Sequence, residues 1–177
     1  VVITGATNGI GKAAALELAK QGPKLLLTFR NQELADNLLA EIKTAAPDVS
    51  VELIYCDFSM QSSIRECSKE IIASQDKIDV LINNAGVVNT SYHETSEGIE
   101  NTFAVNHLGY FLFTNLLLNK MKGPEESRII NVSSAAHSFV KDMNWENINF
   151  KGDFGQGMQV YGQSKLANLL FTRHLAI

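Results

Sequence analysis

Apolar strands alternate with helical stretches along the whole chain, and this alternation limits the fold more than any other feature. Val1 to Thr4 reads as a short strand. Ile10 to Gln21 is rich in Ala, Leu and Lys and reads as a helix, stopped by Gly22-Pro23. Lys24 to Phe29 is a continuous apolar run, typical of a strand buried on both faces. Gln32 to Ala45 reads as a helix ending before Pro47, Val51 to Cys56 as a strand and Gln61 to Ser74 as a helix. Ile78 to Asn83 is a strand, Gly98 to Met121 one long helix with apolar residues nearly all round, and Arg128 to Val132 a strand. After a polar, Gly-containing stretch, Met158 to the end is helical. Strand, helix, strand with short connections implies parallel βαβ units in an α/β, doubly wound parallel sheet of Rossmann type. Residues 1–177 are read as one domain, because no repeat and no low-complexity linker marks a second.

Glycines mark where such a sheet meets a ligand. The first strand runs into Thr4-Gly5-Ala6-Thr7-Asn8-Gly9-Ile10-Gly11, and a helix follows at once. Glycine lets the backbone turn tightly and approach a pyrophosphate, and the helix N-terminus offers unpaired N–H groups. The spacing is Gly-x-x-x-Gly-x-Gly, not the commoner Gly-x-Gly-x-x-Gly. A loop needed only for helix–strand packing is the plainer alternative.

The end of the second strand is where the ribose is expected to be read. An acid about 20 residues on would bond the 2′-hydroxyl of NAD. The stretch here is Leu27-Thr28-Phe29-Arg30-Asn31, with Arg30 and no acid. A guanidinium suits a 2′-phosphate, so NADP(H) is expected over NAD(H). Arg30 as a solvated loop residue is the alternative. Asp57, beside Phe58, follows the third strand and can reach an adenine amino group. Asn83-Asn84-Ala85-Gly86 follows the fourth. Ligands of open α/β sheets bind outside these carboxyl ends.

Tyr161 and Lys165 stand four residues apart, on one helical face. A Tyr with an unperturbed pKa of about 10 is a poor proton donor or acceptor at neutral pH, and a nearby cation favours its phenolate. An amphipathic helix with a surface Lys is the plain alternative.

Together, the Thr4–Gly11 loop, Asn83–Gly86, Asn106, Ser134 and Tyr161-x-x-x-Lys165 resemble the ordered motif set of the short-chain dehydrogenase/reductase family. Within it, residues 103–114, 131–137 and 161–168 resemble the retinol-dehydrogenase-like and WW-domain-oxidoreductase-like branch. The resemblance implies that Gly5, Asn8, Gly9, Ile10 and Gly11 wrap the phosphates, Asp57 holds adenine, and Asn84, Ala85 and Gly86 line the ribose side. It implies Tyr161 as general acid for carbonyl reduction or base for alcohol oxidation. Lys165 would activate Tyr161 and bond the nicotinamide ribose. Ser134 would position the substrate oxygen, with adjacent Ser133 as a packing or cofactor-side residue. Asn106 would hold a water linking Lys165 to solvent.

Other classes are weaker. A catalytically silent nucleotide-binding domain would be marked by loss of the Tyr or the Lys, and both are present. A methyltransferase would favour an acid where Arg30 stands. The net charge of −4 gives no reason to expect nucleic acid. Cys56 and Cys67 are too few for a disulfide framework and read as reduced thiols. No His, Cys, Asp or Glu cluster has metal-ligand spacing, so no metal is expected. His107 is read as a packing residue, and the sequons at Asn89 and Asn131 as coincidental.

Apolar residues on the 98–121 and 158–177 helices suggest a homodimer through them, with cover by absent segments as the alternative. The chain opens inside a strand without Met and stops inside a helical pattern, so it reads as a C-terminally truncated fragment. Membrane association stays open, and the expected location is the cytoplasm or the cytosolic face of an intracellular membrane. The 177-residue piece by itself is expected to be poorly soluble and inactive. The branch resemblance implies a lipophilic, retinoid- or steroid-like alcohol or carbonyl as substrate.

Overall fold

A computed structural model describes residues 1–121 and 127–176. Five parallel strands form one sheet in the order β3-β2-β1-β4-β5. They are β1 (Val2–Ile3), β2 (Leu25–Phe29), β3 (Val51–Tyr55), β4 (Val80–Asn83) and β5 (Arg128–Asn131). The chain builds outward from β1 through β2 to β3. It then returns to lay β4 on the other side of β1. This reversal places a crevice at the carboxyl ends of β1 and β4.

The continuous apolar character of β2 follows from burial on both sides. Leu25 and Leu27 join Ile3, Ala15, Ala19, Leu38 and Ile42 on one face of the sheet. Leu26 joins Val2, Ile64, Cys67, Ile71, Phe113 and Leu117 on the other. Helices α1 (Gly9–Ala19) and α2 (Gln32–Ala45) cover the first face through Ala15, Ala19, Ala35, Leu38 and Ile42, at helical spacing. Helix α3 (Gln61–Ser74) covers the second through Ile64, Cys67 and Ile71. Truncating a buried leucine of this kind to Ala costs about 2–5 kcal/mol. Cys56 and Cys67 are free buried thiols.

The segment expected as one α-helix from Gly98 to Met121 is a composite. It opens at α4 (Asn101–Phe103), widens into a π-helical turn over Ala104–Leu108, resumes as α5 (Gly109–Leu117) and tightens into a 3-10 turn over Leu118–Lys120. Glu100 fixes the start by accepting from the N–H groups of Thr102 (2.8 Å) and Phe103 (2.7 Å). A π turn of this sort is a recurrent mark of functional sites, and Asn106 lies within it.

The stretch between β5 and the last helix, α6 (Met158–Leu175), is also more ordered than its polarity suggests. It contains a 3-10 turn over Ala135–Phe139 and buries Phe150 and Phe154 against Val160, with Tyr92 packed alongside. Among the described residues, no helix is long and apolar enough to cross a membrane.

Candidate active site

A cleft of about 620 Å³ opens at the carboxyl ends of the strands. Its lining includes Gly5, Asn8, Gly9 and Ile10 from the glycine loop, Arg30 after β2, and Asp57 and Phe58 after β3. Asn84, Ala85 and Gly86 enter after β4, Ser134 after β5, and Tyr161 and Lys165 from α6. Gly11 and Asn106 do not line it.

The glycine loop is held by hydrogen bonds and by lack of room. Thr4 Oγ1 accepts from the N–H groups of Asn84 (2.8 Å) and Ala85 (3.0 Å). Asn84 Nδ2 donates to the carbonyls of Thr4 and Gly5, both at 3.0 Å. The Asn84 side chain therefore braces the loop. Gly5 has φ +62°, and a Cβ there would come 2.6 Å from Cα of Ala85. Buried Gly11 packs beneath, against the Gly5 carbonyl and the Asn84 amide.

Beyond the loop, α1 presents its N-terminus. Its N-cap, Asn8, makes no side-chain capping bond, and its first turn carries no acid. Ile10 is 73% exposed at this rim. Uncapped N–H groups and a positive dipole end suit a phosphate.

Asp57 has one committed oxygen. Its Oδ1 accepts from the N–H (2.9 Å) and the Oγ (2.7 Å) of Ser59. Ser63 Oγ accepts from the Asp57 N–H at 2.9 Å. Phe58 stacks edge-on against Phe113, with centroids 5.5 Å apart, and its side chain presses on Gly109. Arg30 is exposed and makes no ion pair among the described residues.

Lys165 is almost wholly buried, and its Nζ donates to the Val132 carbonyl at 3.0 Å. Burial lowers its pKa to about 8. The ammonium stands 5.5 Å from the centroid of the Tyr161 ring. Ser134 caps the 3-10 turn by accepting from the Ala136 N–H at 3.2 Å, which leaves its hydroxyl proton free to donate. Ser133 also touches the cleft, but its hydroxyl donates to the Lys165 carbonyl at 2.9 Å.

Asn106 is fully buried and acts through other groups. Its Oδ1 accepts from the Val87 N–H (2.8 Å), and its Nδ2 donates to the Val87 carbonyl (2.9 Å) and to Ser164 Oγ (3.1 Å). Its main-chain carbonyl accepts from Asn168 Nδ2 at 2.9 Å. Asn168 was not anticipated from the sequence. Its Oδ1 meets His107 Nδ1 at 3.1 Å, and the same amide nitrogen lies 3.5 Å from the Val132 carbonyl that Lys165 uses. His107 packs between Phe103 and Phe171, and burial lowers its pKa.

Sequence reasoning placed Thr4 in the loop motif without its bracing role and missed the apolar wall of Val87, Val88, Val105 and Val132. The place of Thr4 at a strand end beside Gly5 was a usable signal. The valines look like any other apolar residues. Among the described residues, no group of three His, Cys, Asp or Glu could hold a metal ion.

A parallel sheet with a glycine loop at its switch point and a Tyr-Lys pair across the same cleft defines a dinucleotide-binding type of α/β fold. The sequence pattern of the short chain dehydrogenase family matches residues 1–146, and the chain belongs to that family. Among curated proteins it is similar to retinol dehydrogenases. Human retinol dehydrogenase 11 is 43% identical over 99% of this chain and 55% of its own length. Human retinol dehydrogenase 13 is 41% identical over 99% of this chain and 53% of its own. The chain thus spans about half the length of these curated relatives. The crystal structure of a metagenomic short-chain oxidoreductase in complex with NADP superposes with a TM-score of 0.79 at 27% identity, covering 99% of this chain and 74% of that one.

Proposed function

We propose that this chain is the cofactor-binding and proton-transfer part of an NADP(H)-dependent oxidoreductase that interconverts an alcohol and a carbonyl. One observation carries the reading: Ser134, Tyr161 and Lys165 share a single cleft with the glycine loop and Arg30.

The residues present fit the cofactor. The uncapped start of α1 and the open space over Gly9 would hold the pyrophosphate. Arg30 would take the 2′-phosphate, and the free oxygen of Asp57 would face the adenine. When bound, the nicotinamide supplies or accepts the hydride. The chain's own groups manage the proton. Tyr161 gives its phenol proton to the developing alkoxide during reduction, leaving a phenolate, and as the phenolate takes the alcohol proton during oxidation. Ser134 Oγ donates to the same oxygen and fixes its position. Lys165 keeps positive charge beside the phenol. Asn106 and Ser164 fix α6 against the loop after β4, since Ser164 Oγ donates to the Tyr161 carbonyl at 2.7 Å.

The substrate we infer is lipophilic, retinoid- or steroid-like. Val88, half-exposed, stands with Val87, Val105 and Val132 on the cleft wall, and the relatives named above are retinol dehydrogenases. We further infer a homodimer through α5 and α6, where Phe111, Leu169 and Leu170 are 48%, 40% and 46% exposed. A monomer by light scattering of the full-length protein would overturn the dimer.

The deciding experiment screens the full-length protein against lipophilic alcohols and carbonyls with NADPH and NADH, with Tyr161→Phe as control. Turnover that needs Tyr161 and prefers NADPH is expected. Equal turnover by the variant would defeat the assignment.

A further inference from the structure

Helix α6 is fastened to the π turn at two places, and the proposed reaction accounts for only one. The first is Ser164, whose Oγ accepts from Asn106 Nδ2 at 3.1 Å. The second is Asn168, four residues on and so on the same face of the helix. Both side chains are fully buried. Each stands three residues, nearly one turn, after a residue of the cleft: Ser164 after Tyr161, and Asn168 after Lys165.

The Asn168 amide is engaged at both ends. Its Nδ2 donates to the Asn106 carbonyl at 2.9 Å. The same nitrogen lies 3.5 Å from the Val132 carbonyl, which receives the Lys165 ammonium at 3.0 Å. A carbonyl can only accept, so the amide nitrogen must face these oxygens and Oδ1 must face His107. His107 Nδ1, 3.1 Å from that oxygen, is then the donor. Burial lowers the His107 pKa, which keeps the ring neutral with its proton on Nδ1. A leucine at position 168 would fill nearly the same space and leave the Asn106 carbonyl and the His107 N–H without this partner. Packing alone therefore does not call for an amide.

Two bonds on one face do what one cannot. Held at Ser164 alone, α6 could pivot against the π turn. A second bond one turn further on fixes both its rotation and its slide. Asn106, at the other end of both bonds, is itself clamped to Val87 in the loop after β4 at 2.8 and 2.9 Å. A fully satisfied buried network of this kind selects one arrangement. We propose that Asn168, oriented by His107, is a positioning residue for Lys165: it locks α6 to the Asn106 carbonyl so that the ammonium meets the Val132 carbonyl beside Tyr161. This rests on the oxidoreductase reading above.

Asn168→Leu in the full-length protein tests it. Ile42→Val, a change in the core beneath α2, controls for lost stability. Turnover is measured with NADPH and retinal, or with whichever carbonyl the screen above finds, and NADPH affinity by fluorescence titration. In Asn168→Leu, kcat is expected to fall about 10- to 100-fold, as a small misplacement of Lys165 would cause. The Kd for NADPH is expected to rise several-fold, and Ile42→Val to change neither. Asn168→Ala, whose smaller side chain lets water reach the freed carbonyls, replaces the leucine variant if that one does not fold. The 15N spectrum of the wild-type His107 ring is expected to show a protonated Nδ1. A ring protonated on Nε2 alone would overturn the proposal. So would a folded Asn168 variant whose kcat and Kd both stay within about twofold of wild type, whatever its melting temperature. If the wild type shows no turnover, the reaction reading fails, and the NADPH affinity of the variants still decides the role of Asn168.

Discussion

The carbonyl of Val132 accepts the ammonium of Lys165 at 3.0 Å, tying the start of the loop after β5 to the second turn of α6. That bond sets where the charge sits beneath the Tyr161 ring. It also makes the charged state sensitive to burial, because a single carbonyl replaces much of the lost water.

Tyr161→Phe removes the only phenol that the described residues put on the cleft wall and leaves the ring. Turnover is expected to fall by about 10²–10⁴-fold, with NADPH affinity changed little. Steady-state kinetics beside fluorescence titration of NADPH measure both. Retention of a tenth of wild-type kcat would rule Tyr161 out as the proton donor.

Lys165, with its pKa lowered to about 8, gives a pH dependence of definite sign. Below that pH it is charged in both folded and unfolded chains, and its burial lowers stability. Between about 8 and its ordinary value near 10.5 the unfolded chain binds the extra proton, so folding stability rises with pH, by up to about 3 kcal/mol. Over the same window the positive charge is lost and NADPH binding weakens. Denaturant midpoints at pH 7.5 and pH 10 for wild type and Lys165→Met isolate the effect. Equal pH slopes for the two proteins would contradict it.

Arg30→Ala removes the guanidinium after β2. NADPH affinity is expected to drop by about 10- to 100-fold, the worth of a charged hydrogen bond, while NADH affinity is unaffected. Isothermal titration with both cofactors reads the difference. An unchanged preference would leave Arg30 as a solvated loop residue.

Ser134→Ala and Ser133→Ala separate two adjacent hydroxyls. The first is expected to lower kcat with little effect on stability. The second loses the bond to the Lys165 carbonyl and is expected to cost about 1 kcal/mol of stability. Kinetics that collapse in Ser133→Ala and survive in Ser134→Ala would reverse the assignment.

Gly5→Ala puts a Cβ against Ala85 at a left-handed φ of +62°. Strain alone costs about 1–2 kcal/mol, and the clash adds to it. A lowered melting temperature together with weakened NADPH binding is expected. A variant that binds NADPH normally would show that the loop has room the structure denies.

The sequence by itself determined the sheet. Period and punctuation are local: the apolar run of β2 and the spacing of Ala35, Leu38 and Ile42 on α2 were legible without a fold. So was the glycine loop, because a strand running straight into a helix leaves few other uses for three glycines. Short-range pattern failed at the composite helix, where a π turn around Asn106 leaves no periodic trace in so apolar a segment.

Only the tertiary structure decided what the asparagines do and which rings face Lys165. Asn84 turns back to brace Thr4 and Gly5, 80 and 79 residues away. Asn168 reaches the Asn106 carbonyl across 62 residues. Tyr110 meets Lys165 from a different helix. These contacts depend on the register of one helix against another, which burial of many small apolar surfaces sets jointly. No local stretch of sequence contains that information.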